Sequence, residues 1–134
     1  MKLLIGILLL ALAMPVFSQS SPKKRAPSYN PAAEAVYKGT VEDLRDRECP
    51  VSGGMGSHII MRMSNGNAIE VHLATTQFTK GTELNLHKGD QIEVTGWKTE
   101  LDGMQTILAR EVRHGQDVYI FRAKDGTPAW YMAR

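Results

Sequence analysis

The sequence predicts an all-β fold: a small OB-like five-stranded barrel with an extra C-terminal extended segment. Three observations predict it. Short runs rich in β-branched and aromatic residues recur between Val36 and Arg122, glycine-centred turns separate them, and no amphipathic helix of useful length appears. Five short strands in an open sheet would leave exposed edges, and closing them into a barrel removes those edges.

The chain opens with Lys2 and an apolar run from Leu3 to Phe17, followed by Ser18, Gln19, Ser20 and Ser21. A basic start, a short hydrophobic segment and a small polar exit predict a cleavable signal peptide over residues 1–20. The run is too short for a convincing bilayer span. A periplasmic or secreted protein follows, with no membrane span after cleavage. Residues 21–33 hold Lys23, Lys24, Arg25 and three prolines, a composition that buries too little apolar surface to order itself and predicts a flexible linker. Residues 34–134 are then the barrel domain.

Residues 36–44 form the first strand, with Gly39 marking a bend. Residues 49–56 carry Pro50, Gly53, Gly54 and Gly56 and read as a loop. Residues 57–63 and 68–73 flank Asn65-Gly66, a strong hairpin signal. Ile59, Met61 and Met63 share one face of the first arm; Ile69, Val71 and Leu73 share one face of the second. Both sets lie on one side only if odd positions pair with odd positions. A three-residue connection over residues 65–67 meets this condition, with Met61 opposite Val71 and Arg62 opposite Glu70. The outer face then shows His58, Ile60, Arg62, Glu70 and His72.

Residues 74–89 interrupt the strands and have room for one helical turn. Lys88-Gly89-Asp90 leads into a fourth strand over residues 91–97. Leu101-Asp102-Gly103 turns into a fifth over residues 104–112, and residues 117–122 supply the extra extended piece.

Gly39-Thr40-Val41 in the first strand, Lys88-Gly89-Asp90-x-Ile92-x-Val94-x-Gly96 in the fourth and residues 107–112 in the fifth resemble small exported bacterial OB-fold proteins, including the stress-tolerance family described by that name. The resemblance spans Tyr37 to Trp130. It implies a barrel that binds on the surface of strands two and three, and it implies no catalytic residues.

Charge and composition narrow the function. The 16 basic residues less Lys2, against 14 acidic ones, leave the exported part at +1, without the basic excess that marks a nucleic-acid binder. Strands two and three also lack an outward aromatic platform. No Ser-His-Asp arrangement, supported Cys-His pair or glycine-rich phosphate loop is present, so the chain reads as non-enzymatic and without a cofactor. Cys49 is the sole cysteine. With no histidine near it in sequence, it reads as a small buried or incidentally exposed residue.

The expected function is a binding or accessory module for an envelope protein or small ligand, using His58, Ile60, Arg62, Glu70 and His72. The alternative is a periplasmic soft-metal (Cu/Ag) protein, with Met55, His58, Met61 and Met63 supplying thioether and imidazole ligands. Against it, the register turns Met61 and Met63 toward the core, where methionine commonly fills space. A second alternative is weak nucleic-acid binding.

Overall fold

The structure is a computed structural model and describes residues 27–131. Six strands, β1 (Ala35–Cys49), β2 (Gly54–Met63), β3 (Ala68–Thr75), β4 (Gln91–Leu101), β5 (Met104–His114) and β6 (Asp117–Ile120), carry the fold, with one short helix, α1 (Thr76–Gly81), between β3 and β4. The sheet order is β3-β2-β1-β4-β5-β6, and β3 also pairs in parallel with β5. Five strands therefore form a hydrogen-bonded ring, the expected OB-like arrangement, with β6 as the extra piece. Closure rests on three residue pairs, Glu70 with Thr106, Val71 with Ile107 and His72 with Leu108, so the barrel is partly open.

β1 runs to Cys49 rather than ending at residue 44 because it serves two partners in succession. Its first half pairs with β4 and its second half with β2. The strand bends where the partners overlap, and a bulge between Val41 and Asp43 follows. Gly39 allows the bend: a Cβ there would lie 2.5 Å from Met61 Cγ and 2.6 Å from the Arg62 carbonyl oxygen. The run of charged residues from Glu42 to Glu48 hides this second half from a hydrophobic pattern.

The β2–β3 hairpin keeps the expected parity but shifts the turn by one residue. Met63 N donates to Asn67 O at 2.9 Å, and Gly66, at φ +85°, supplies the left-handed residue that ends a three-residue loop over residues 64–66. The Asn65 side chain accepts from Asn67 N at 2.9 Å and steadies the turn. Consequently Met61 faces Ile69 rather than Val71, Arg62 faces Ala68 rather than Glu70, and His58 faces His72. The odd-numbered apolar residues still point inward, and Ile59, Met61, Val71 and Leu73 are fully buried with Val94, Ile107, Val112 and Phe121.

The segment before β1 belongs to the fold. The Tyr29 ring lies 5.1 Å from the Arg122 guanidinium and 6.1 Å from the Trp97 ring. A 3-10 turn follows over Pro31–Ala33, and Glu34 takes two hydrogen bonds from Arg110 on β5. Residues 29–33, expected to belong to a flexible linker, therefore pack as part of the fold. The expected signal peptide over residues 1–20 and the first part of the expected linker lie outside the described residues.

Candidate metal centre

β1 ends at Cys49, residues 50–53 turn, and β2 returns at Gly54, opposite Cys49. Strand alternation places Arg47, Cys49, His58, Ile60, Glu70 and His72 on the side of the sheet opposite the barrel core, as the sequence predicts for the four of them assigned to a binding face. The expectation that this face is open to solvent is corrected. His58 is 1% exposed, His72 0% and Glu70 8%, while Ile60 is half-buried and Arg62 alone is well exposed.

Two distant segments roof the face. Phe121 N and Arg122 N both donate to Arg110 O, Ala129 N donates to Phe121 O, and Arg122 bridges to Pro128. This doubled-back tail sets the Trp130 ring 5.8 Å from that of His72, edge to face. From the β1–β2 turn, Ser52 Oγ reaches His72 Nε2 at 2.7 Å. Gly56 makes room for the approach, because a Cβ there would collide with Ser52 Oγ.

Beneath this roof the ligand atoms of Cys49, His58 and His72 all lie within 4.8 Å of one another, and all three residues are buried. The two imidazole centroids are 5.1 Å apart. Neither nitrogen of His58 makes a hydrogen bond of good geometry, the Gly56 backbone offering only a weak polar contact, and Nδ1 of His72 has no partner; Ser52 holds only His72 Nε2. Buried polar atoms left unsatisfied cost about 1–3 kcal/mol each.

The surroundings keep both rings neutral. Burial pushes His72 down to about 3, and the positive charges of Arg122 and Arg47, with that of His58 whenever it is protonated, add to the effect. Burial also lowers His58, against the pull of the Glu70 carboxylate 3.8 Å from its Nε2. Glu70 is itself committed to Arg47, whose Nε donates to Oε1 at 2.6 Å. Burial raises the Cys49 thiol, while the backbone N–H groups of Val51 and Ser52 oppose that rise by hydrogen-bonding its sulfur. Cys49 is 3% exposed and borders a surface hollow that it lines with Glu48, Pro50, Gly53 and Gly54.

A thiol and two neutral imidazoles form a donor set for borderline and soft transition metals. Metal–sulfur and metal–nitrogen distances of about 2.3 and 2.0 Å put the ligands of a three-coordinate ion about 3.5–3.7 Å apart. Closing the cluster from 4.8 Å therefore asks for a contraction of about 1 Å.

The methionine ligand set is corrected. Met55 is exposed, Met61 is fully buried in the barrel core on the opposite side of the sheet, and Met63 is half-buried at the hairpin end. His58 survives from that set, but Cys49 and His72 are its neighbours. In sequence they lie 9 residues before and 14 residues after it, and the strand pairings bring them together. With the turn at residues 64–66, His58 sits opposite His72, so correct hairpin register was the one signal able to find the pair.

Elsewhere His87 and His114 flank Asp90 at 3.9 and 3.6 Å on the surface. An open groove of about 530 Å³ passes Lys38, Arg62, Gln91 and Arg113, but its Arg62 is already held by Glu42 and the Gly66 carbonyl.

Comparison with curated proteins finds no match. Comparison with protein families matches residues 34–119 to the MamS/MamX magnetosome protein family, a span that covers well over half of the chain and includes Cys49, His58 and His72. The bacterial OB-fold stress-tolerance family, which the strand motifs resemble, is not the family found, although the small all-β fold is compatible with it. The chain belongs to the MamS/MamX magnetosome protein family.

Proposed function

We propose that this chain is a non-enzymatic, magnetosome-associated accessory module, exported to the periplasm or beyond, that holds a transition-metal ion at Cys49, His58 and His72. One observation carries the reading. Two fully buried imidazoles keep three of their four nitrogens without a hydrogen bond of good geometry, and both stand beside a buried thiol. A bound ion would take one nitrogen from each ring and turn the thiol into a thiolate, so its binding energy would add to the stability of the fold. The expected surface ligand of strands two and three is replaced by an interior one, because the polar groups of that face are covered. Membership of a magnetosome family supports the accessory role and the setting.

The test uses the exported protein, stripped with a chelator and then titrated with single metal salts, with retained metal measured by mass spectrometry and stability by thermal unfolding. One ion per chain and a raised midpoint are expected, both lost in Cys49→Ser and in His72→Gln. Retention of no ion, or equal retention by both variants, would refute the reading. Co-fractionation with magnetosomes tests the setting, and recovery in the cytosol alone would refute export.

A further inference from the structure

Resting on the metal-binding reading, the geometry points to a narrower ligand: a monovalent d10 ion, Cu(I) or its redox-inert counterpart Ag(I), held three-coordinate by Cys49 Sγ and one nitrogen each of His58 and His72. Charge argues for it first. The Cys49 thiolate would be the sole anionic ligand, so a monovalent ion gives a neutral unit and a divalent ion leaves one positive charge under the roof. That charge would have no counter-ion. Glu70, the carboxylate beside His58, is already paired with Arg47. Asp46, the other carboxylate acting on His58, already accepts from Ser57 Oγ at 2.9 Å. On the Trp130 side the buried charge is positive: Arg122 is 4% exposed and rests on a carbonyl and two ring faces, donating to Gly126 O at 2.9 Å and lying 5.0 Å from the Trp130 ring and 5.1 Å from that of Tyr29. A second positive charge in this setting is opposed by Coulomb repulsion in a medium that screens poorly.

Coordination number argues the same way. Zinc takes four ligands, and Trp130, which packs edge to face on His72, supplies none, since its indole nitrogen is a donor only. Ser52 Oγ is committed to His72 Nε2, which leaves Nδ1 as the ligating atom and fixes the ring, the role an outer partner plays for a metal-bound histidine. The donors themselves, one thiolate sulfur and two imidazoles with no carboxylate, lie at the soft end of the scale. Binding is a simple exchange: the Cys49 S–H bond breaks, an S–metal bond forms, and the proton leaves to solvent by way of the hollow beside Cys49. No electron is transferred.

The exported protein, stripped of metal, is titrated with Ag(I), and anaerobically with Cu(I) under ascorbate, and challenged with Zn(II) and Co(II). One equivalent of Ag(I) is expected to raise the unfolding midpoint, to protect Cys49 from a thiol-alkylating reagent, and to survive about a 100-fold excess of Zn(II). Arg122→Met, which removes the buried charge, is expected to shift the preference toward Zn(II) by about tenfold. Displacement of Ag(I) by equimolar Zn(II), or a tetrahedral thiolate–Co(II) spectrum at one equivalent, overturns the monovalent assignment and leaves the metal reading standing. Failure of every ion to bind overturns both. Ag(I) binding that persists in Cys49→Ser, or vanishes in Met61→Leu, moves the site to the methionines and overturns the assignment. The alkylation experiment needs only wild-type protein, so it decides even where a buried variant does not fold.

Discussion

Acidification between pH 7.5 and 5 should weaken this fold, and His72 should set much of the slope. In the folded chain burial, reinforced by the positive charges of Arg122 and Arg47, holds His72 down to about 3; unfolded, it returns to 6.5. Between those values the unfolded chain binds a proton that the folded chain refuses. The contribution is therefore fully present above pH 6.5 and is lost progressively as pH falls toward 3. From pH 7.5 to 5.0 the loss for His72 alone is about 2 kcal/mol, and His58, also lowered by burial, adds in the same direction. Glu34, whose carboxyl the hydrogen-bonded Arg110 guanidinium holds below its usual range, loses its contribution only at lower pH, so the histidine window stands apart. The assay is urea unfolding followed by tryptophan fluorescence, with a chelator present. A urea slope of roughly 1–2 kcal/mol per molar converts 2 kcal/mol into a midpoint shift of about 1–2 M. His72→Gln should flatten the pH dependence by that amount. Equal midpoints at pH 7.5 and 5.0 in the wild type, or an unchanged slope in the variant, would refute the argument.

Met61 fills core space, so Met61→Leu should cost less than about 1.5 kcal/mol and Met61→Ala about 2–5 kcal/mol in urea unfolding; equal costs would mean that its volume does not matter. Gly96 sits at the β4–β5 bulge, where a Cβ would collide with the Leu108 carbonyl, and Gly96→Ala should cost about 1–3 kcal/mol or more, with wild-type stability the contrary result. Glu34 and Arg110 pin the segment before β1, so Glu34→Gln should cost about 1–2 kcal/mol and open residues 27–34 to limited proteolysis; a segment that stays protected would show that Tyr29 alone secures it. Single-stranded DNA should bind weakly at physiological salt, given a formal charge of only +2 for the whole chain; submicromolar affinity in a filter or fluorescence assay would overturn that reading.

The parts of the fold legible in the sequence are those governed by near neighbours along the chain. Alternation assigned Ile59, Met61, Ile69, Val71 and Leu73 to the core, where the structure has them buried. Turn chemistry located the hairpin at Asn65-Gly66 and the β4–β5 turn at Asp102-Gly103, whose φ values are +51° and +78°. The second half of β1 was hidden for a definite reason: its charged residues are held by pairing with β2, a contact that composition does not encode. The register of β2 on β3 slipped by one turn position because parity constrains which residues share a side, and several loop placements satisfy it equally.

The sequence by itself determined that this chain is a small all-β domain and that His58, Glu70 and His72 lie on the side of the sheet away from the barrel core, since side-chain direction in a strand follows from position alone. Only the tertiary structure decided that this side is an interior. Burial depends on what folds over a surface, and here the cover comes from Trp130, far along the chain, and from Ser52 in a glycine-rich turn. The same long-range folding brings Cys49 to the two histidines. Strand geometry acts residue by residue and can be read locally; the desolvation that leaves those imidazoles neutral and poorly hydrogen-bonded is a property of the assembled fold.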